Sequence, residues 1–464
     1  MIALYESVTQ LDKRAVETFK MSEELLMEHA ALAMANEIMK RFDRARVLIV
    51  CGAGNNGADG LALARLLSIK SGFEPKIFLP FGTSGELGEK QLKRALALGI
   101  EEVKAIEQTD ILIDALIGGG LNRKLDENFA TIIEAINDLS AFKIACDIPS
   151  GVGKDGNFDV CVKADLTVTM GAPKLGLFND KIKDAIGELV VADLGIPREA
   201  YSAHTDAFLL EESDLKAPFR NKQDSHKGSY GRLAIVMGDK PGAALLSAMA
   251  ALRFGAGLTT VISRERHIHL PFDLIQEQKP IDATKAIAVG MGLGEAYIDE
   301  ELLEIIADRA VVLDADALSR PLVRVLLERK APVVLTPHPK EFAALCDLCG
   351  LGAFSVADVQ ENRLDLSLQF GKTFPNAILV LKGANTIIVS GDRRFINPRG
   401  SPALAKGGSG DVLTGMIGAL LAQGYEPIEA AIHASLAHAL AAKRFKGNSF
   451  SMSPSDLIET LKTL

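Results

Sequence analysis

Apolar positions along the chain follow two regimes, helical spacing and short β-branched runs, and their order predicts the architecture. Between Ser7 and Phe42 there is no Gly or Pro, and Leu25, Leu26, His29, Ala30 and Ala33 recur at helical spacing, so one or two long helices are expected before the first strand. From Arg46 the runs VLIVC, PKIFLP, DILIDAL, FKIACDIP, LTVTM and ELVVADL alternate with helical segments such as GLALARLLSIK and ELGEKQLKRALAL. This alternation predicts βαβ units and a largely parallel sheet covered on both faces. It lapses between Arg198 and Gly231, where the chain is polar and turn-rich, which puts a domain junction near residue 210. A second series then begins with RLAIVMG and AALLSAMAALRFGAG and continues through LTTVIS, AIAVGMG, AVVLDAD, PVVLTPHP and AILVLKG. An apparent hairpin, NTIIVSGDRRFINP, follows, then GGSGDVLTGMIGALLAQG and an alanine-rich helix from Pro427.

Two α/β domains are therefore expected, 1–210 and 211–464, alike in architecture but with no shared motif that aligns. Length agrees, since 464 residues exceed the roughly 250–300 at which one core stops growing. With 48% apolar and 24% charged residues there is no compositional case for disorder. The net charge of −9 argues against a nucleic-acid or anionic-membrane surface. The first 20 residues carry charges throughout and no run of about 18 apolar residues appears, so no signal peptide or membrane span is expected and a cytoplasmic location is. Five cysteines predict free thiols; Cys346 and Cys349 form one CxxC with no second pair beside it, which is weak support for a metal or redox centre.

The segment Gly52-Ala53-Gly54-Asn55-Asn56-Gly57-Ala58-Asp59-Gly60 follows a strong strand and opens a helix, and its first six residues satisfy G-x-G-x-x-G. Backbone amides of such a turn suit a pyrophosphate. The second strand, however, ends in Phe78, Leu79, Pro80 and Phe81, without the carboxylate that holds a ribose in an ordinary dinucleotide-binding dehydrogenase. Asp114, and Asp147 with Ser150, also sit just beyond strand ends, where α/β sheets bind ligands. Each alone reads as a helix cap or a turn; together they predict one crevice.

GNNGADG, DALIGGGLNR and DIPSG resemble the N-terminal domain of the NAD(P)H-hydrate epimerase family, over roughly residues 1–210. The resemblance implies a Rossmann-like three-layer sandwich. It implies a hydrated dinucleotide bound by Asn55, Asn56, Gly57, Ala58 and Asp59, and by Gly118, Gly119, Gly120, Leu121, Asn122, Arg123 and Lys124. It also implies Asp147 facing the substrate and a monovalent cation, potassium, on Asn56, Asp114 and Ser150, oxygen ligands that suit a hard cation. The substrate's ring hydroxyl is part of a hemiaminal, which proton removal can scramble. Asp147 is the expected general acid/base, its carboxyl tuned toward neutral pH by partial burial.

In the second half, Gly407-Gly408-Ser409-Gly410-Asp411 opens a helix, so several N–H groups and the helix dipole converge on an anion. An Asp beside such a hole is placed to act on a hydroxyl next to the phosphate. The arrangement resembles the ribokinase-like fold. GAALLSAMAALRFGAGL, VVLDADAL, LTPHPKEF and LKGANTI narrow it to the ADP-dependent NAD(P)H-hydrate dehydratases, over roughly residues 220–464. This implies Asp411 as catalytic base and Ala243, Gly292, His338 and Asp411 as substrate contacts. It further implies Lys382, Gly383, Ala384, Asn385, Thr386 and Gly410 on the adenine nucleotide, with ADP as co-substrate and magnesium accompanying it.

Lys406 is expected to be exposed. His338, between two prolines, is the histidine singled out for function; His267 and His269 alternate on a supposed strand with a surface role. Asp314 and Asp316 read either as a magnesium DxD or as structural carboxylates. The expected partners are the small molecules NADH-hydrate, NADPH-hydrate and ADP, with a homo-oligomer and neither nucleic acid nor membrane. The rival enzyme reading is a ribokinase-like small-molecule kinase fused to a dinucleotide-binding domain.

Overall fold

A computed structural model describes residues 1–119, 121, 125–266 and 269–464. The chain forms two compact units, Ala3–Thr205 and Asp206–Leu464, the latter with Met1–Ile2. The division falls a few residues before the expected junction because the polar stretch contains a strand, Ala207–Leu209, which pairs in parallel with Arg393–Asn397.

In the first unit the glycine-free segment is two helices, Thr9–Phe19 and Glu23–Arg41, separated at Lys20, which takes a left-handed φ of 59°. The sheet order is Glu101–Val103, Phe73–Phe78, Ala45–Cys51, Ile111–Ala115, Phe142–Cys146, Leu166–Met170, Glu188–Ala192, with every pair parallel. Strand order reverses at Ala45–Cys51 and Ile111–Ala115, which opens a crevice at their C-terminal ends. Alternation along the central strands feeds two cores. Val47, Ile49 and Cys51 pack with Met27, Ala31, Leu61 and Ala64 on one face. Val50 and Leu112 pack with Ile133 and Ile136 on the other, giving the three-layer sandwich.

The second unit carries strands in the order Ala207–Leu209, Arg393–Asn397, Thr386–Ser390, Ala377–Leu381, Val333–Leu335, Ala310–Leu313, Ala286–Val289, Arg232–Val236, Leu258–Ile262 and Ile275–Glu277. Among the described residues only Thr386–Ser390 runs antiparallel to its neighbours, which confirms the expected hairpin. Helix Ser409–Ala422 is almost wholly buried and crosses helix Pro241–Arg253 at Gly415, where a Cβ would come within 2.1 Å of Ser247 O. That close approach needs glycine, and it seats Asp411, whose carbonyl accepts a bond from Ser247 Oγ at 2.7 Å. His267 lies outside the described residues, and His269 sits in a turn rather than on a strand. No helix among the described residues is long and apolar enough to cross a membrane.

Candidate active sites

At the strand-order reversal of the first unit lies a cavity of about 530 Å³, lined by Asn55, Asn56, Asp59, Gly118, Gly119, Leu121 and Asp147. Three strand ends supply these residues, as the sequence predicts. Gly57 and Ala58 are buried beneath the loop and do not line the cavity. A Cβ on Gly57 would lie 1.8 Å from Gly52 O, so the third glycine of the motif is fixed by backbone packing. Gly120, Asn122, Arg123 and Lys124 lie outside the described residues.

Asp147 adopts φ 74°, a left-handed conformation that Asp tolerates better than most residues and that concentrates at functional sites. Its Oδ1 accepts from Lys174 Nζ, from Met170 N–H at 3.1 Å and from Thr169 Oγ1 at 3.3 Å; its Oδ2 accepts from Gly119 N–H at 3.1 Å. Burial pushes the carboxyl up, but the Lys174 ammonium and the two N–H groups more than offset it, so Asp147 titrates below the usual carboxylate range. This corrects the expectation of a carboxyl tuned toward neutrality: partial burial alone would raise it, and Lys174 reverses the sign.

Asp12 and Asp59 share the cavity. Burial and the charges of Asp147 and Asp12 push Asp59 well above its ordinary value. Burial likewise raises Asp12, partly offset by the bond from Tyr201 Oη. The cavity thus holds carboxyls of opposite tendency around the Lys174 ammonium.

Asp114 is fully buried beneath it. Its Oδ1 accepts from Ser150 Oγ at 2.5 Å and its Oδ2 from Ser150 N–H at 2.7 Å. Burial raises its pKa to about 6, and those bonds only partly offset the rise. Ile117 N–H donates to Ser150 Oγ at 2.8 Å, and a Cβ on Gly118 would lie 3.1 Å from Asn56 Oδ1, so the Ile117–Gly118 loop links Ser150 to Asn56. The Asn56 amide nitrogen is buried and has no partner among the described residues. Because the two ends of an amide are assigned by their partners, this one can turn its oxygen to a cation. A buried carboxylate, a hydroxyl and an orphaned amide fit a monovalent cation.

In the second unit Gly408, with φ 94°, opens the helix that carries Asp411. Burial and the nearby charge of Asp314 raise Asp411 to about 6, with Lys382 pulling the other way. Asp314 Oδ1 accepts from Lys382 Nζ at 2.8 Å and Oδ2 from Thr414 Oγ1 at 2.8 Å. Burial opposes this ionised pair, yet mutual attraction holds Asp314 low and Lys382 high. Asp316 instead accepts from Gly294 N–H at 2.9 Å, so the DxD divides between two structural tasks. A Cβ on Gly410 would lie 3.3 Å from Lys382 Nζ, which puts the Lys382–Thr386 segment beside the helix start. Gly292 adjoins Ala243, whose Cβ lies 3.3 Å from where a Gly292 Cβ would be.

His338 caps helix Pro339–Leu348: its Nδ1 accepts from Lys340 and Glu341 N–H at 3.1 and 3.2 Å, and its Nε2 lies 3.2 Å from Glu341 Oε1, with the ring about half-exposed. Lys406 is exposed and reaches Phe450 O at 2.9 Å. All five cysteines are free thiols.

Sequence reasoning missed Lys174, Asp12, Tyr201 and the Asp314–Lys382 pair. Lys174 follows the end of the LTVTM strand, and the rule that singled out Asp147 applies there too. Nothing in the sequence brings Asp12, on the first helix, to the cavity.

The YjeF-related protein N-terminus family model matches residues 23–176, and the NAD(P)H-hydrate dehydratase family model matches residues 233–463. The chain is 42% identical to the bifunctional NAD(P)H-hydrate repair enzyme of Helicobacter pylori over 100% of both chains. It is 33% identical to that of Coxiella burnetii over 100% of this chain and 99% of the relative. Among solved structures, the ADP/ATP-dependent NAD(P)H-hydrate dehydratase from Bacillus subtilis is 30% identical, covering 53% of this chain and 92% of its own, with a TM-score of 0.46. Two units with separate carboxylate sites, both family models and full-length relatives agree: the chain belongs to the family of bifunctional NAD(P)H-hydrate repair enzymes.

Proposed function

We propose that residues 1–210 interconvert the R and S epimers of NADH-hydrate and NADPH-hydrate, and that residues 211–464 dehydrate the S epimer with ADP, releasing AMP and phosphate. The carrying observation is that each unit brings a carboxylate to a candidate site, Asp147 beside the glycine loop in the first, drawn below its ordinary value, and Asp411 at a glycine-rich helix start in the second, raised to about 6. Asp147, ionised from the outset, takes the proton of the ring hydroxyl. The oxygen's electron pair forms a carbonyl as the ring C–N bond breaks, the nitrogen takes the proton back, and closure on the other face inverts the carbon. Asn55, Asn56, Asp59, Gly118, Gly119 and Leu121 line the dinucleotide's cavity, and Gly57 and Ala58 support that loop from beneath. Potassium on Asn56, Asp114 and Ser150 would supply positive charge under the loop.

Asp411 removes the ring-hydroxyl proton of the S epimer, and that oxygen attacks the terminal phosphoryl of ADP. The Gly408–Asp411 helix start and Lys382 neutralise the transferring charge. The phosphorylated hydroxyl then leaves as phosphate, pushed by the electron pair of the adjacent ring nitrogen, and loss of a proton from the neighbouring ring carbon regenerates the dihydronicotinamide. Ala243, Gly292 and the half-exposed ring of His338 are assigned to the hydrate, and Lys382–Thr386 with Gly410 to the nucleotide. Magnesium would be carried mainly by the nucleotide's phosphates.

Recovery of dihydronicotinamide absorbance from a mixture of both NADH-hydrate epimers, with ADP supplied or omitted, tests both halves. Full ADP-dependent recovery is expected. Recovery halting near half would remove the epimerase assignment, and none would remove the dehydratase assignment.

A further inference from the structure

The cavity of the first unit contains Lys174, a cation outside the GNNGADG, DALIGGGLNR and DIPSG motifs. Lys174 is buried, and its ammonium donates to Asp147 Oδ1, to Thr169 Oγ1 at 3.0 Å and to Met170 O at 2.9 Å. An ammonium has three protons, so these acceptors use all of them and none is left for a substrate. The backbone is clamped as well: Leu175 N–H donates to Tyr5 O at 2.8 Å, and Tyr5 N–H donates to Pro173 O at 3.3 Å. Both ends of the side chain are therefore fixed.

The consequence falls on the two oxygens of Asp147. Oδ1 accepts from Lys174, Met170 and Thr169, while among the described residues Oδ2 accepts only from Gly119 N–H. Oδ2 also lies toward the glycine loop that floors the cavity, 3.3 Å from where a Cβ on either Gly118 or Gly119 would sit. An ion pair built for stability alone gains little from such burial, because desolvating an ammonium and a carboxylate cancels most of their attraction. A carboxylate that must meet one proton with one oxygen gains orientation from it.

We propose that Lys174 is a positioning residue of the epimerase reaction: it saturates Oδ1 of Asp147, locks the carboxylate plane, and so reserves Oδ2 to take and return the hydroxyl proton. This rests on the assignment of Asp147 as the base. The proton moves from the ring hydroxyl to Oδ2 and from Oδ2 to the ring nitrogen, with Lys174 keeping all of its own protons throughout.

The test follows conversion of one purified NADH-hydrate epimer into the other, by chromatography, with the full chain and its K174M, K174A, T169V and D147N variants. Loosening the carboxylate by about 1 Å costs on the order of 100-fold. K174M is therefore expected to lose about that factor in kcat with KM within twofold, and ethylammonium is expected to restore part of the K174A loss. T169V removes one acceptor and keeps the ion pair, so a loss of severalfold in kcat at unchanged KM is expected.

Wild-type kcat in K174M beside an inactive D147N would overturn the role of Lys174 and leave Asp147 standing. A K174M defect confined to KM would overturn it too, by making Lys174 a binding group. If K174M fails to fold, unchanged kcat in T169V overturns it. Activity in D147N would instead remove the reading on which the inference rests.

Discussion

Asp314 Oδ1 lies 2.8 Å from Lys382 Nζ, with Asp314 only 2% exposed, and this pair ties the end of strand Ala310–Leu313 to the turn after strand Ala377–Leu381. The same ammonium stands between Asp314, Glu341 and Asp411, the proposed base. D314N strands Lys382 without its main partner, and breaking such a pair costs about 3–5 kcal/mol. Urea denaturation should report that loss in the second unit.

D314N also acts on the base. Asp314 raises Asp411 and Lys382 lowers it. Removing the first charge and freeing the second both favour ionised Asp411, so the acid limb of dehydration should move below about 6. A pH profile of kcat/KM for ADP-dependent NADH recovery checks this; an upward shift would show that Asp314 does not act on Asp411 electrostatically.

The two halves should part company with pH in the unaltered chain. A base works only when ionised, so dehydration should be full above about 6 and fall roughly tenfold per unit below it. Asp147 is held below the usual carboxylate range, so epimerisation should stay level across the interval in which dehydration fails. Separate kcat/KM profiles for the two reactions decide this. A shared acid limb near 6 would contradict the role of Lys174 in lowering Asp147.

Reciprocal substitutions separate the sites. D411N should reduce dehydration by about 10²–10⁴, the range for loss of a general base, while epimer exchange continues. D147N should do the reverse, and dehydration of pure S epimer should keep its rate. Loss of both reactions in either single variant would place the two carboxylates in one site.

Much of this was legible because strand ends in α/β sheets are marked twice, by the end of a β-branched run and by the polar residue just past it. Asn56, Asp114, Asp147 and Ser150 could be assembled into one crevice on that ground before any coordinates. The ionisation of Asp147 could not, because its sign depends on Lys174, which lies 27 residues away in sequence and meets it only through the parallel pairing of Phe142–Cys146 with Leu166–Met170. Burial without a partner raises a carboxyl and burial against an ammonium lowers it, so a sequence that shows the burial and hides the partner yields the wrong direction. His338 marks a similar limit. Its flanking prolines signalled a rigid turn, but its Nδ1 serves as a helix cap and its Nε2 meets Glu341 Oε1 at 3.2 Å, so both ring nitrogens are engaged within the helix's first turn.

Potassium gives a stability test independent of catalysis. Asp114 is raised from about 3.8 to about 6 by burial, so the folded unit binds its proton more tightly than the unfolded chain does. Without a cation the first unit should therefore lose stability as pH climbs from about 4 to about 6, and stay at the lower level above that. A monovalent cation on Asp114, Ser150 and Asn56, as proposed, would compete with that proton. Potassium should then stabilise the unit above about 6 and progressively lose its effect as pH falls through that value. At about 100 times the dissociation constant the gain is roughly 2.7 kcal/mol, a shift of a few degrees in melting temperature. Tetramethylammonium, too large for the site, should give none, and D114N should abolish the response to potassium. Equal stabilisation by both salts, or a potassium effect unchanged in D114N, would remove the cation from this site and leave Asp114 as a buried acid that anchors Ser150.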